Sequence, residues 1–144
     1  MEYWLCVASA RTWATVRDQR IWGAPKGTHN LNAVSKIHPG DWLAFYLRSP
    51  IRQIVGLYKA TSNMFIQESK EPFNDWRTYM HRIRIEPLSK ETRELERSIP
   101  LDTIMGRLSK LQNRYQLFGR SVIPLTEDDY WVICSLAGVS IPKV

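Results

Sequence analysis

Apolar residues fall in two regimes along this chain: short unbroken runs, and positions repeating at helical spacing. Tyr3 to Val7 (Tyr-Trp-Leu-Cys-Val) is apolar and β-prone throughout, which predicts a first strand buried on both faces with Trp4 in the core. Ser9 or Thr12 is suited to cap a helix running to about Arg20, with Trp13 and Val16 on one face. Trp42 to Leu47 and Ile54 to Ala60 predict two further strands, and the polar segment from Arg48 to Arg52 between them predicts an antiparallel hairpin. Both faces of these strands are largely apolar. That pattern predicts a small closed or half-closed barrel with helices packed outside, and Gly56 inside a strand marks a bend or a close backbone approach.

Tyr79 to Glu86 alternates instead. Tyr79, His81, Ile83 and Ile85 fall on one side, Met80, Arg82, Arg84 and Glu86 on the other, which predicts a half-buried strand with a basic outer stripe. Ser89 to Arg97 is charged and predicts a surface helix. Pro100 opens another, with Leu101, Ile104, Leu108 and Leu111 at helical spacing although Gly106 interrupts it. Asn113 to Pro124 reads as irregular or extended chain. Thr126-Glu127-Asp128-Asp129 has the form of a capping box before a last helix, in which Tyr130, Ile133, Cys134 and Ala137 form the packed face and Gly138 ends the run.

The breaks between these elements carry the candidate chemistry. Arg20-Ile21-Trp22-Gly23-Ala24-Pro25-Lys26-Gly27 places a large aromatic among Gly and Pro, which predicts a stiff loop presenting one indole between Arg17, Arg20 and Lys26. An indole flanked by cations is suited to stack a base while its phosphates are held; the same residue is equally suited to close a hydrophobic core. Thr28 to Val34 is polar and Asn-rich, suited to turns or to the edge of a ligand. His38-Pro39-Gly40-Asp41 is a turn signal. Thr61 to Arg77 is a long connection holding Phe65, Phe73 and Trp76, and connections of that length are often functional.

Composition narrows the class. The 144 residues, 44% of them hydrophobic, fit one domain over 1–144 with a core of its own. No apolar run approaches the roughly 18 residues of a membrane helix, and no secretory leader is visible, so a cytoplasmic location is expected. Cys6 and Cys134 lie in apolar runs and read as buried thiols. His29, His38 and His81 lack metal-site spacing, and no metal or other cofactor is expected. A net charge of +6 and a pI near 9.5 favour a polyanionic partner. No phosphate-binding loop, dinucleotide fingerprint or nucleophile elbow is present, and Asp128 with Asp129 is explained by the field at a helix N-terminus, so no enzymatic activity is expected.

Laid in order, Tyr3-Trp4-Leu5-Cys6, Ile21-Trp22-Gly23-Ala24-Pro25-Lys26, Pro39-Gly40-Asp41 before a strand ending Phe45-Tyr46, Ile54-Val55-Gly56-Leu57-Tyr58 and Phe118-Gly119-Arg120-Ser121-Val122-Ile123-Pro124-Leu125 resemble the EVE family of the PUA-like superfamily, in particular its archaeal-type members of unassigned function. The resemblance covers nearly the whole chain. It implies an α+β fold, a PUA-like barrel of about five to six strands surrounded by helices. It implies a pocket for a modified or flipped base, since related YTH domains hold a methylated adenine in an aromatic cage and EVE domains are linked to modified cytosine. By matching positions, Trp22 corresponds to the cage tryptophan, Trp76 to a second wall, and Asn30, Tyr46 and Ser49 to further pocket residues. Lys26, Arg20, Arg48 and Arg120 are the matching candidates for phosphate contact. Where bacterial members carry a Pro-Asp element, this chain has Met64-Phe65-Ile66-Gln67. The implied partner is RNA or DNA carrying a modified base. The alternatives are an enzyme on RNA or a modified nucleoside, as in ASCH-type relatives, with Lys26, Asp41 and Arg48 near the cleft, or a module holding a peptide or small molecule.

Overall fold

The computed structural model describes residues 1–24, 28–67, 71–72, 79–117 and 120–141, without the side chains of 28–30 and 114. Among the described residues, eight strands form one mixed sheet, curled into a half-barrel, with four α-helices. The strands are β1 (Tyr3–Ala8), β2 (Ile21–Ala24), β3 (Trp42–Leu47), β4 (Gln53–Ala60), β5 (Phe65–Ile66), β6 (His81–Pro87), β7 (Ile99–Pro100) and β8 (Val122–Leu125). The helices are α1 (Ala10–Gln19), α2 (Thr28–Val34), α3 (Leu101–Ile104) and α4 (Glu127–Ala137). The main path runs β2-β6-β4-β3-β1-β8, with β5 beside β6 and β7 beside β4. β1 and β3 are parallel, which requires a crossover, and α1, β2 and α2 supply it; all other pairs are antiparallel. The α+β half-barrel is the expected architecture, with more strands than the expected five to six because β2, β5 and β7 are short.

Both faces of the central strands are covered, so the alternation of side chains divides the interior in two. Tyr3, Leu5, Val7, Trp42, Ala44 and Tyr46 face a core closed by α3 and α4. Trp4, Cys6, Ala8, Leu43, Phe45 and Leu47 face the other, together with Trp13 and Val16 of α1 and Val34 of α2. A bulge keeps β4 in step with this division. Phe45 pairs with Gly56 and Tyr46 with Ile54, so Val55 is the extra residue, and Ile54 and Val55 enter opposite cores.

Gly56 lies where two layers meet. A Cβ there would stand 2.8 Å from Tyr58 Cε1, 3.0 Å from Trp13 Cη2 and 3.2 Å from the Arg93 carbonyl oxygen. Two ring atoms held by packing and one backbone oxygen leave little to yield. Gly56→Ala is therefore expected to destabilise the protein by about 1–3 kcal/mol, read as a lower urea midpoint with an unchanged m-value.

The helix ends follow the local chemistry. Ser9 caps α1, its hydroxyl accepting from the Thr12 amide, and Arg20 closes it in the left-handed region at φ 56°. Thr126 and Asp129 form a complete capping box on α4, and Gly138 ends it at φ 70°. Asp129 also accepts from Ser109 and Lys110, which ties α4 to the segment after α3.

Four expectations need correction. Ile21–Ala24 is not a loop but a strand, paired with β6 so that Trp22 lies opposite Ile83. Thr28–Val34 is a helix, not a turn segment; α2 packs against β2, β6 and β8. Residues 89–97 form turns, because their backbone completes the edge of β4 between its pairings with β6 and β7. The Leu57 amide donates to the Thr92 carbonyl, the Leu95 amide to the Val55 carbonyl, and Tyr58 Oη to the Arg93 carbonyl. Finally, α3 stops at Ile104, and Leu108 and Leu111 are buried through an isolated bridge. Among the described residues, no helix is long and apolar enough to cross a membrane.

Candidate nucleic-acid interface

One end of the half-barrel gathers several of the expected site residues around two consecutive positions of β1, Val7 and Ala8. The Trp22 indole N–H donates to the Val7 carbonyl at 3.4 Å. The Val7 amide donates to the Ser121 carbonyl at 2.8 Å, which places Arg120 and Ser121 at the start of edge strand β8 beside it. The Arg48 amide donates to the Ala8 carbonyl at 3.0 Å, which brings in the turn that carries Arg48 and Ser49. The curl of the sheet causes this, since it brings edge strand β2 round toward β1 and β8, and α2, which carries Asn30, packs across both edges. Arg48, Ser49 and Arg120 are all exposed there.

Trp22 differs from the expectation of a presented indole. It is 1% exposed, edge-to-face with Phe45 at 6.0 Å between ring centroids, and belongs to the α1/α2 core. Of the two roles open to it, the structure gives the core role. The physical reason is that β2 is a buried edge strand whose alternate residues, Trp22 and Ala24, face the same interior as Ile83.

Tyr46 is not brought to the site. It is 3% exposed on the opposite face of the sheet, where burial raises its phenol pKa and Arg52 partly offsets this. Its neighbour Phe45 is the aromatic that meets Trp22, a one-residue difference that the alternation of β3 makes decisive. Arg20 also lies elsewhere, near Tyr58 with Arg17, Arg93 and Glu94. Arg17 is committed there to Asp18 at 3.0 Å and to Glu94 at 2.6 Å, and Arg93 to Asp18 at 2.6 Å. Trp76 and Lys26, like the side chain of Asn30, lie outside the described residues.

The basic outer stripe of β6 is reduced to Arg84. Arg82 is fully buried, its Nε donating to the Tyr79 carbonyl at 2.8 Å and Nη1 to the Glu71 carbonyl at 2.5 Å, while Arg84 is exposed and stands over the Phe65 ring.

Asp41 is occupied by the fold. Its carboxylate accepts from the Glu2 amide at 2.9 Å, from Trp4 Nε1 at 3.0 Å and from the His38 amide at 2.9 Å. A group so engaged is a brace between the N-terminus and the turn before β3. Cys6 and Cys134 are both buried free thiols, on opposite faces; burial pushes the Cys6 thiol far up and the Cys134 thiol to about 11. Thiols so raised are poor nucleophiles at neutral pH. Among the described residues, no group of three His, Cys, Asp or Glu is placed to hold a metal ion.

Residues 2–136 match the EVE domain family. The chain belongs to that family. An EVE-domain relative in sequence is a UPF0310 protein of Pyrococcus abyssi, 28% identical and covering 94% of this chain and 99% of the relative. Among solved structures, the EVE-domain chain is similar to human THYN1 protein in complex with 5-methylcytosine containing DNA, at a TM-score of 0.69 and 16% identity, covering 97% of this chain and 99% of that one. It is also similar to the Mmi1 YTH domain, at a TM-score of 0.63 and 12% identity, covering 95% and 88% respectively. At these identities the structural likenesses speak for the fold.

Two residues packed around Trp22 and β2 are not among the expected site residues. Phe45 was hidden by the choice of its neighbour. His81 was legible as the polar member of an otherwise apolar stripe with Tyr79, Ile83 and Ile85, and it is 5% exposed.

Proposed function

We propose that this chain is a nucleic-acid-binding module that takes a modified (methylated) or extruded base at the Val7–Ala8 end of the half-barrel and performs no chemistry on it. The observation that carries the reading is the meeting of Trp22, the Arg48–Ser49 turn and the Arg120–Ser121 segment on two consecutive residues of β1. The likeness to a THYN1 structure holding 5-methylcytosine containing DNA supports the choice of ligand class. The engagement of Asp41 by three donors supports binding without catalysis.

In this reading Arg48 and Arg120 hold backbone phosphates. Trp22 forms the inner wall and Ser49 meets the base edge; roles for Trp76 and Asn30 rest on the family resemblance alone. Stacking supplies about 1–3 kcal/mol per base, and a methyl group adds about 0.8 kcal/mol of apolar burial. Because Trp22 is 1% exposed, a base reaches it only in a state that uncovers the ring, and the apparent affinity falls by the fraction of molecules in that state. Duplex targets bear a further cost of a few kcal/mol for extruding the base.

The test is a titration of single-stranded and duplex DNA and RNA oligonucleotides, with and without a methylated base, at several salt concentrations. Arg48→Glu combined with Arg120→Glu is expected to weaken binding of every oligonucleotide and to reduce the slope of log affinity against log salt by about 2. An unchanged slope would place the phosphate contacts elsewhere and remove this surface from the reading.

A further inference from the structure

Among the described residues, Nδ1 of His81 is the one buried side-chain nitrogen or oxygen without a hydrogen-bond partner. Buried polar groups are nearly always paired, and leaving one unpaired lowers stability, so an orphan calls for a reason. Its position supplies one. His81 lies opposite Ala24 on β2, and Ile83, two residues on, lies opposite Trp22. Side-chain alternation puts His81 on the Ile83 side of β6, the face directed at the core that contains Trp22, Ala24 and Val34 of α2. Diagonal cross-strand neighbours stand about 7–8 Å apart, within reach of aromatic side chains, so a ring held against Trp22 lies within reach of His81.

We propose that His81 is a specificity-determining residue of this site, its Nδ1 meeting the hydrogen-bonding edge of the base held against Trp22. The proposal rests on the reading above that a base enters beside Trp22. Burial lowers the imidazole pKa from its ordinary value, so the ring is neutral at pH 7 and offers one donor and one acceptor. Such a ring distinguishes bases by their edges, whereas stacking on Trp22 accepts any base.

The experiment compares wild type, His81→Leu and His81→Asn by fluorescence anisotropy on single-stranded oligonucleotides. Each carries one central 5-methylcytosine, N6-methyladenine or unmodified base, and each is titrated at two salt concentrations, with thermal melts in parallel. His81→Leu is expected to shrink the affinity ratio between best and worst base by about 3- to 10-fold. Its salt slope should match wild type, and its melting temperature should equal or exceed it, because an unpaired polar group has been removed. His81→Asn, whose amide falls near the place of Nδ1, should restore part of the ratio. If His81→Leu keeps the wild-type ratio, His81 does not read the base, and the base-binding reading stands without it. If wild type itself binds every base alike, the base-binding reading fails and this inference fails with it.

Discussion

Replacing Trp22 with alanine is expected to lower stability by about 3–5 kcal/mol, the range for emptying a large aromatic site from a packed core. The indole is 1% exposed, packs edge-to-face on Phe45, and donates to the Val7 carbonyl, so the substitution removes ring contacts and leaves a buried carbonyl without its donor. In a protein of 144 residues that loss corresponds to a melting temperature lower by on the order of 10 °C. The same change would remove the inner wall of the proposed base pocket. Trp22→Phe separates the two effects. It keeps most of the apolar volume and an aromatic face, and loses the N–H donor together with part of the stacking surface. It should cost about 1–2 kcal/mol in stability, near the range of a lost hydrogen bond, and weaken oligonucleotide binding more than a remote core substitution of equal cost. Ile133→Ala, in the core on the opposite face of the sheet, is a suitable remote comparison.

The second large effect is expected at Asp41. Its carboxylate accepts from two backbone amides and from the Trp4 indole, and the residue is 4% exposed. Asp41→Ala strands three donors, one of them on a buried indole, and should destabilise the protein by about 3–5 kcal/mol. Asp41→Asn keeps the shape and one carbonyl oxygen but turns an amide group toward a donor, so it should recover only part of the loss. Chemical denaturation monitored by tryptophan fluorescence measures both. A variant at Asp41 with wild-type stability would show that the brace between Glu2, Trp4 and the turn before β3 is dispensable, and would return the carboxylate to consideration as a reactive group.

These residues also show what a sequence can and cannot disclose. β1 and β3 were legible because strands buried on both faces are apolar at every position, and α4 because its capping box, packed face and terminal glycine are local in the chain. Gly56 was legible as a close approach, and the structure supplies the atoms it approaches. β2 was not legible. Its partner β6 is far along the chain, and Gly23 between two such short ends looks like a loop until that pairing is known. α2 is polar at its start and owes its helix to packing against β2, β6 and β8, contacts no local pattern carries. At 89–97 the charged composition suited a surface helix, yet the open edge of β4 claimed the backbone instead.

The site divides along the same line. Arg48, Ser49 and Arg120 meet at one end of the barrel because β1 pairs with β3 on one side and β8 on the other. Tyr46 falls in the opposite core because a strand's two faces differ by one residue, and Trp22 is buried rather than presented because its strand pairs with β6. His81 acquires meaning only once its ring is known to be buried without a partner.

The most direct measurement of the central claim is a heteronuclear NMR titration of the protein with a short oligonucleotide carrying one 5-methylcytosine. The account predicts that the Trp22 indole N–H and the amides of Val7, Ala8, Arg48 and Ser121 shift together and saturate at one stoichiometry. Shifts confined to another surface, such as the cleft of about 730 Å³ lined by Glu91, Glu96, Arg97 and Val139, with the Trp22 indole unmoved, would contradict it.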